Sequence, residues 1–211
     1  MKKIFLSIAL SAFTVAAFAQ FEGNIEFRME TKKDTNTNIY YVKGNNVKLD
    51  QIGKKSGKVE GSFVFDLAAK TIKFVNPARK VWGDHKSETP PAIKGVCEVT
   101  KGKTTKMVAG KMCIEYTVKN TEENTQIVYY ITTEKFDFFA PLVKLWNRKD
   151  KQSIYFNQIK DLPKGAMPML SIETAIDTKA VLSKLEVMKL EKKTIDMATV
   201  TIPADYKKFE Q

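Results

Sequence analysis

The stretch Phe136-Asp137-Phe138-Phe139-Ala140-Pro141-Leu142-Val143-Lys144-Leu145-Trp146 differs from everything around it. Nine of its eleven residues are apolar or proline, and the two exceptions, Asp137 and Lys144, stand seven apart on one stripe of a helix. That pattern predicts a helix buried over most of its circumference. Proline in a helix interior removes a hydrogen bond and clashes with the preceding turn. The stretch is therefore expected to break into a short turn and a main helix carrying Pro141 in its first turn.

On either side of it the chain reads with period two. Ile25, Phe27 and Met29 alternate with Glu26, Arg28 and Glu30; Val47 and Leu49 alternate with Lys48 and Asp50; Met112, Ile114, Tyr116 and Val118 alternate with Cys113, Glu115 and Thr117. Each reads as a strand with one wet face. Further strands are expected at residues 38–42, 61–66, 71–75, 80–84, 95–100, 125–132, 153–158, 169–176 and 181–190. The last also fits one face of a helix through Val181, Leu185 and Met188. Turn chemistry separates these runs at Gly44-Asn45-Asn46, residues 53–57, Asn76-Pro77, Pro90-Pro91, Lys101-Gly102-Lys103 and Pro163-Lys164-Gly165. Many short strands joined by short turns imply a mainly β fold: one curved antiparallel sheet, an unclosed half-barrel connected largely as a meander. The residue 136–146 helix then covers the concave face, either as a lid over an apolar cavity or as a core helix that fills it.

The N-terminus indicates where such a protein works. Lys2 and Lys3 precede an apolar run over residues 4–18, and Ala17-Phe18-Ala19 supplies a small-x-small cleavage pattern before Gln20. Residues 1–19 are expected to be a cleaved signal peptide and residues 20–211 a single half-barrel domain, exported and periplasmic, with an extracellular destination also open. No cysteine stands at position 20, so no lipid anchor is expected. Removal of the leader leaves 192 of 211 residues and lowers the formal charge from +11 to +9. A basic surface suits an anionic envelope surface such as lipid headgroups, or keeps strand edges soluble; nucleic acid is not an expected partner outside the cytoplasm.

Chemistry-bearing motifs are few. Cys97 and Cys113, the two cysteines, are expected to form a structural disulfide between strands joined through the Lys101-Gly102-Lys103 turn, since the chain is bound for an oxidising compartment. A redox role lacks the C-x-x-C spacing. His85 is the single histidine and is expected in an exposed loop, so neither a metal site nor a Ser-His-Asp arrangement has its parts. Met167 and Met169 read as packing residues. The G-x-S-x-G elbow and the phosphate-cradling glycine patterns are both missing. A non-enzymatic protein without metal or cofactor is expected.

Four segments carry a resemblance: Phe21-Glu22-Gly23-Asn24-Ile25-Glu26-Phe27, Tyr40-Tyr41-Val42-Lys43-Gly44-Asn45, Val108-Ala109-Gly110-Lys111-Met112-Cys113-Ile114-Glu115-Tyr116, and Ile202-Pro203-Ala204-Asp205-Tyr206-Lys207. With them the chain resembles the secreted bacterial family of domain of unknown function 4412. That resemblance implies a relative of the periplasmic lipoprotein-carrier fold, in which helices cover the apolar concavity of an unclosed barrel. It implies no site residues. Lipoprotein carriers have several lid helices, whereas one helical stretch is legible here.

Two functions follow from this reading. In the first, the concavity binds a lipid, an acyl chain or a lipoprotein, with Phe136, Phe138, Phe139, Leu142, Leu145 and Trp146 facing Phe27, Tyr116 and Tyr129 of the sheet. In the second, a filled half-barrel serves as a structural or protein-interaction module of the cell envelope. The oligomeric state is not legible in the sequence.

Overall fold

The computed structural model describes residues 20–209. The signal-peptide expectation falls on residues 1–19, outside the described residues. A first run of strands comprises β1 (Gly23–Thr31), β2 (Thr35–Lys43), β3 (Asn46–Ile52), β4 (Val59–Asp66), β5 (Thr71–Asn76) and β6 (Val81–His85). A second run comprises β7 (Glu98–Val108), β8 (Lys111–Asn120), β9 (Thr125–Thr132), β10 (Met167–Ala175) and β11 (Val181–Lys192), and β12 (Lys207–Lys208) is a short final strand. All belong to one sheet in the order β12-β6-β5-β4-β3-β2-β1-β11-β10-β9-β8-β7. Two meanders are therefore joined at a single seam, β1 against β11, which runs from Gly23 opposite Lys192 to Thr31 opposite Ser183. The neighbours are antiparallel except for β12, which adds in parallel to β6. The terminal strands do not meet, so the sheet is an unclosed half-barrel.

Strand alternation arises as the period-two pattern requires. Ile25 and Phe27 are buried while Glu26 between them is not, and the same holds for Val47 and Leu49 about Lys48. Residues 181–190 form strand rather than helix: β11 lies between β1 and β10, with Val187 buried and Met188 exposed.

One turn falls elsewhere than expected. Lys101-Gly102-Lys103 lies within β7, where the register slips so that Lys101 faces Tyr116 and Thr105 faces Ile114. Glu115 alone lies between those partners on β8. The extra β7 residues form a bulge, and a Cβ on Gly102 would come within 3.0 Å of the Glu115 Cβ. The chain reverses instead at Ala109 (φ 46°) and Gly110 (φ 74°), a two-residue loop whose positive φ angles match the twist of a hairpin.

Two helices lie over the sheet. The first, α1 (Phe139–Trp146), has Pro141 in its first turn, and a tight turn precedes it, with the Phe139 N–H donating to the Phe136 carbonyl at 2.9 Å. Asn147 ends it in the left-handed conformation, donating its N–H to the Val143 carbonyl at 2.9 Å. The second, α2 (Lys151–Phe156), replaces most of the strand expected at residues 153–158. Asp150 decides this: its carboxylate accepts the Ser153 N–H at 2.9 Å and the Ser153 hydroxyl at 3.0 Å, an N-cap that starts a helix where the apolar run Ile154-Tyr155-Phe156 alone suggests a strand. The cover thus has two helices. None of the described helices is long and apolar enough to cross a membrane.

The helices divide the core. Under α1, Phe136, Phe138, Leu142 and Trp146 pack with Phe21, Ile25, Val42, Leu49, Phe65 and Val187. Under α2, Ile154, Tyr155 and Phe156 pack with Tyr116, Val118, Ile127, Tyr129 and Ile131. Phe139 touches both groups.

Candidate functional site

Between the two helices and the concave face lies a cavity of about 330 Å³, open to solvent on one side. That volume stands at the lower end of the roughly 300–1,000 Å³ usual for ligand pockets. Its apolar wall combines Ile25, Phe27 and Met29 of β1 with Leu49 of β3, Met167 of β10, and Leu185 and Val187 of β11. The helices contribute Phe139, Leu142, Val143, Trp146 and Phe156. The odd-numbered β1 residues share a face because successive side chains of a strand point to opposite sides.

A buried polar cluster fixes α2 to the sheet on the other side of the cavity. Gln152, 5% exposed, donates from Nε2 to the Ser183 hydroxyl at 2.7 Å, and its Oε1 accepts a short bond from the Ser171 hydroxyl. Ser183 passes its own proton toward Glu173 Oε2 at 2.6 Å, and the Tyr129 hydroxyl donates to the Gln152 carbonyl at 2.7 Å. Every polar group of Gln152 named here has a partner, as burial requires. Burial, reinforced by the Asp150 and Glu173 carboxylates, holds the Tyr129 phenol well above its usual pKa.

Toward the mouth the lining becomes polar. Asn36, Thr37, Asn38, Gln51 and Glu60 come from the ends of β2, β3 and β4, and Arg148 and Asp150 from the link between the helices. Arg148 Nε meets Asp150 Oδ2 at 2.6 Å while its guanidinium lies 4.6 Å from the Trp146 ring centre, so ion pair and cation–π contact hold it in one place. Tyr40 stands in the same wall, stacked on Phe27 at 4.8 Å. Burial pushes its phenol up to about 12, against the opposing influence of Arg148, so the group is neutral at ordinary pH.

Of the residues expected to face a ligand, Phe27, Tyr129, Phe139, Leu142 and Trp146 line this cavity. The others lie elsewhere. Phe136 and Phe138 are 1% and 0% exposed and close the base of the structure against Phe21, with ring centres 4.9 and 6.2 Å away. Leu145 packs on the α1 core from outside the cavity. Tyr116 lies opposite Tyr129 on β8 but belongs to the core beneath α2. The lining residues not anticipated include Ile25 and Met29, which the alternation with Phe27 signals, and Arg148, Asp150 and Gln152, which become visible once α2 is recognised.

Cys97 and Cys113 are free thiols, and the hairpin register explains why the expected bond is absent. Cys113 faces Lys106, whereas Cys97 directly precedes Glu98, which faces Lys119 at the far end of β8. Six or seven strand residues separate them, about 20 Å against the roughly 7 Å limit for a disulfide. Cys113 is fully buried, and burial raises its thiol to about 11. His85 also departs from expectation: it ends β6, half-buried, its ring 5.2 Å from Phe63 rather than in an exposed loop. Among the described residues no group of three or more His, Cys, Asp or Glu is placed to hold a metal ion.

The family model described as a domain of unknown function (DUF4412) matches residues 21–206, so the chain belongs to that family, as the four sequence segments implied. No curated protein matches it. Among solved structures, a chain of the Pseudomonas aeruginosa MucA/MucB complex superposes with a TM-score of 0.51 at 12% identity, covering 89% of this chain and 56% of that one. PNGF-II superposes with a TM-score of 0.47 at 10% identity, over 90% of this chain and 31% of its own. A LolA superfamily protein from Nitrosomonas europaea covers 86% of this chain and 90% of its own at 9% identity, with a TM-score of 0.36. The chain thus spans about a third of PNGF-II and somewhat over half of the MucA/MucB chain. At 12% identity the likeness to the MucA/MucB chain is one of fold.

Proposed function

We propose that this member of the DUF4412 family is an exported, non-enzymatic envelope protein that holds an apolar or amphipathic molecule, such as a lipid or a lipoprotein acyl chain, beneath its two helices. The observation that carries this reading is the cavity of about 330 Å³, with an apolar floor and a polar mouth, where close packing would otherwise leave none. Each methylene moved from water into that floor is worth about 0.8 kcal/mol, so a short alkyl segment binds without special polar chemistry. The test is native mass spectrometry of protein gently purified from its own host, combined with titration of the neutral apolar dye N-phenyl-1-naphthylamine. Bound lipid mass and dye fluorescence are expected. A ligand-free mass together with no dye uptake rejects the reading.

A second reading, an interaction module of the envelope, has one observation in its favour. β7 is a terminal strand of the sheet, and Val96, Val99 and Met107 on or beside it are exposed among Lys101, Lys103 and Lys106. A partner adding to that edge would bind more weakly as salt rises, because exposed charge is screened within about 10 Å at 0.1 M. Salt-independent capture of a partner rejects this second reading.

A further inference from the structure

The charge of the cavity differs from that of the protein around it. The sequence carries a formal +11, yet no lysine lines the cavity, and its one cation, Arg148, is matched by Asp150 at 2.6 Å. Glu60 at the mouth is left over, so the charged lining residues give a formal net charge of −1. Apart from Glu60 and the terminal N–H groups of Arg148, whose charge Asp150 balances, the free hydrogen-bonding groups of the lining are uncharged. The side-chain amides of Asn36, Asn38 and Gln51 and the hydroxyl of Tyr40 line the cavity, and none of them is among the side-chain hydrogen bonds that hold this region together. Trp146, 5% exposed and also in the lining, leaves its Nε1–H buried without an acceptor. A buried donor without a partner is unusual in a settled core and is relieved by an acceptor brought in from outside.

Resting on the reading of the cavity as a binding site for an apolar chain, we propose that its ligand is an uncharged amphiphile, with an ester, hydroxyl or amide head that hydrogen-bonds to these neutral groups. A carboxylate or phosphate head on the same chain is discriminated against. Such a head would have to shed water beside Glu60 and Asp150, with the charge of the one cation of the lining already balanced by Asp150. The basic exterior attracts anions to the protein but does not extend into the pocket. Asp150 therefore acts as a specificity-determining residue: by balancing the charge of Arg148 it weakens the attraction of the pocket for an anionic head.

The experiment compares 1-decanoylglycerol with decanoate, both below their micelle concentrations at neutral pH, by displacement of N-phenyl-1-naphthylamine from the full mature chain. The neutral lipid is expected to bind at least roughly tenfold more tightly. Asp150→Asn keeps the α2 N-cap, since asparagine caps as well as aspartate, and frees Arg148. It should raise decanoate affinity roughly tenfold and so narrow the ratio between the two lipids. Glu60→Gln, an exposed position outside the helix cap, should shift the ratio in the same direction and gives the answer should Asp150→Asn fail to fold. Equal or tighter binding of decanoate by the wild type overturns the inference while leaving the cavity a lipid site. A ratio unmoved by both substitutions also overturns it. Failure of both lipids and the dye to bind overturns the functional reading itself.

Discussion

The Tyr155 hydroxyl lies 2.6 Å from Glu123 Oε2 and joins the C-terminal end of α2 to the turn between β8 and β9. Glu123 also accepts the Lys94 N–H at 2.9 Å and pairs with Lys151 at 3.4 Å, so one carboxylate gathers a helix, a hairpin turn and the long β6–β7 loop. With Tyr155 as its largest influence, followed by the Lys94 N–H, the Glu123 carboxyl is held below its usual pKa even though burial opposes this.

Tyr155→Phe is expected to lower stability by about 1.5–3 kcal/mol at neutral pH, the range for a hydrogen bond to a charged group. Because the folded pKa of Glu123 is depressed, its contribution is present above the unfolded value of about 4.3 and is lost as pH falls through the folded one. The difference between wild type and variant in urea midpoints should therefore shrink below about pH 4. A constant difference down to pH about 2.5 counts against the assignment.

At alkaline pH the buried phenols take over. Burial raises Tyr40 to about 12 and also raises Tyr129 and Tyr155. A phenol that keeps its proton more firmly when folded contributes stability that is full below the unfolded value of about 10 and is lost as pH rises through the folded value. Stability should thus fall between about pH 10 and pH 12, and tyrosinate absorbance near 295 nm from these three should appear only with unfolding. Their titration in the native state at about pH 10 contradicts the burial described.

Filling the cavity separates binding from folding. Val143 lines it from α1 and is only partly buried, so Val143→Trp should reduce dye uptake at least roughly tenfold with little change in melting temperature. Leu142, which also lines the cavity but is 1% exposed and packed into the core under α1, should behave differently: Leu142→Ala is expected to cost about 2–5 kcal/mol. Unimpaired dye uptake by Val143→Trp places the binding site elsewhere.

The two cysteines should react as free thiols. In native protein a colorimetric thiol reagent should react with partly exposed Cys97 well before buried Cys113, and both should react in denaturant without reductant. A requirement for reductant contradicts the register of β7 and β8.

The strands were legible because alternation such as Ile25, Phe27, Met29 needs only one wet face, and α1 because its dense apolar run lacks that alternation. The helix is buried along one side through Leu142 and Trp146, with Ala140, Pro141 and Lys144 exposed, rather than over most of its circumference as expected. Pro141 even placed the start of the main helix. Residues 153–158 misled because Ile154-Tyr155-Phe156 is a continuous apolar run, which periodicity cannot assign; the deciding signal lay upstream, in the Asp150 cap. The β7–β8 hairpin misled because Gly102 between lysines has the composition of a turn, while the reversal depends on the backbone angles of Ala109 and Gly110. The candidate site was legible only in part, because its far wall is made by β11 folding back on β1, a pairing that no local pattern announces.

That seam has a consequence for timing. A polypeptide is made from its amino end, and the first six strands can pair as they appear, each with the one before it. The strand carrying Leu185 and Val187 comes close to the tail, and until it docks beside the opening strand the hollow lacks a side. On the proposed reading, loading is therefore a late event, because an unfinished chain has no complete hollow in which to cradle a ligand.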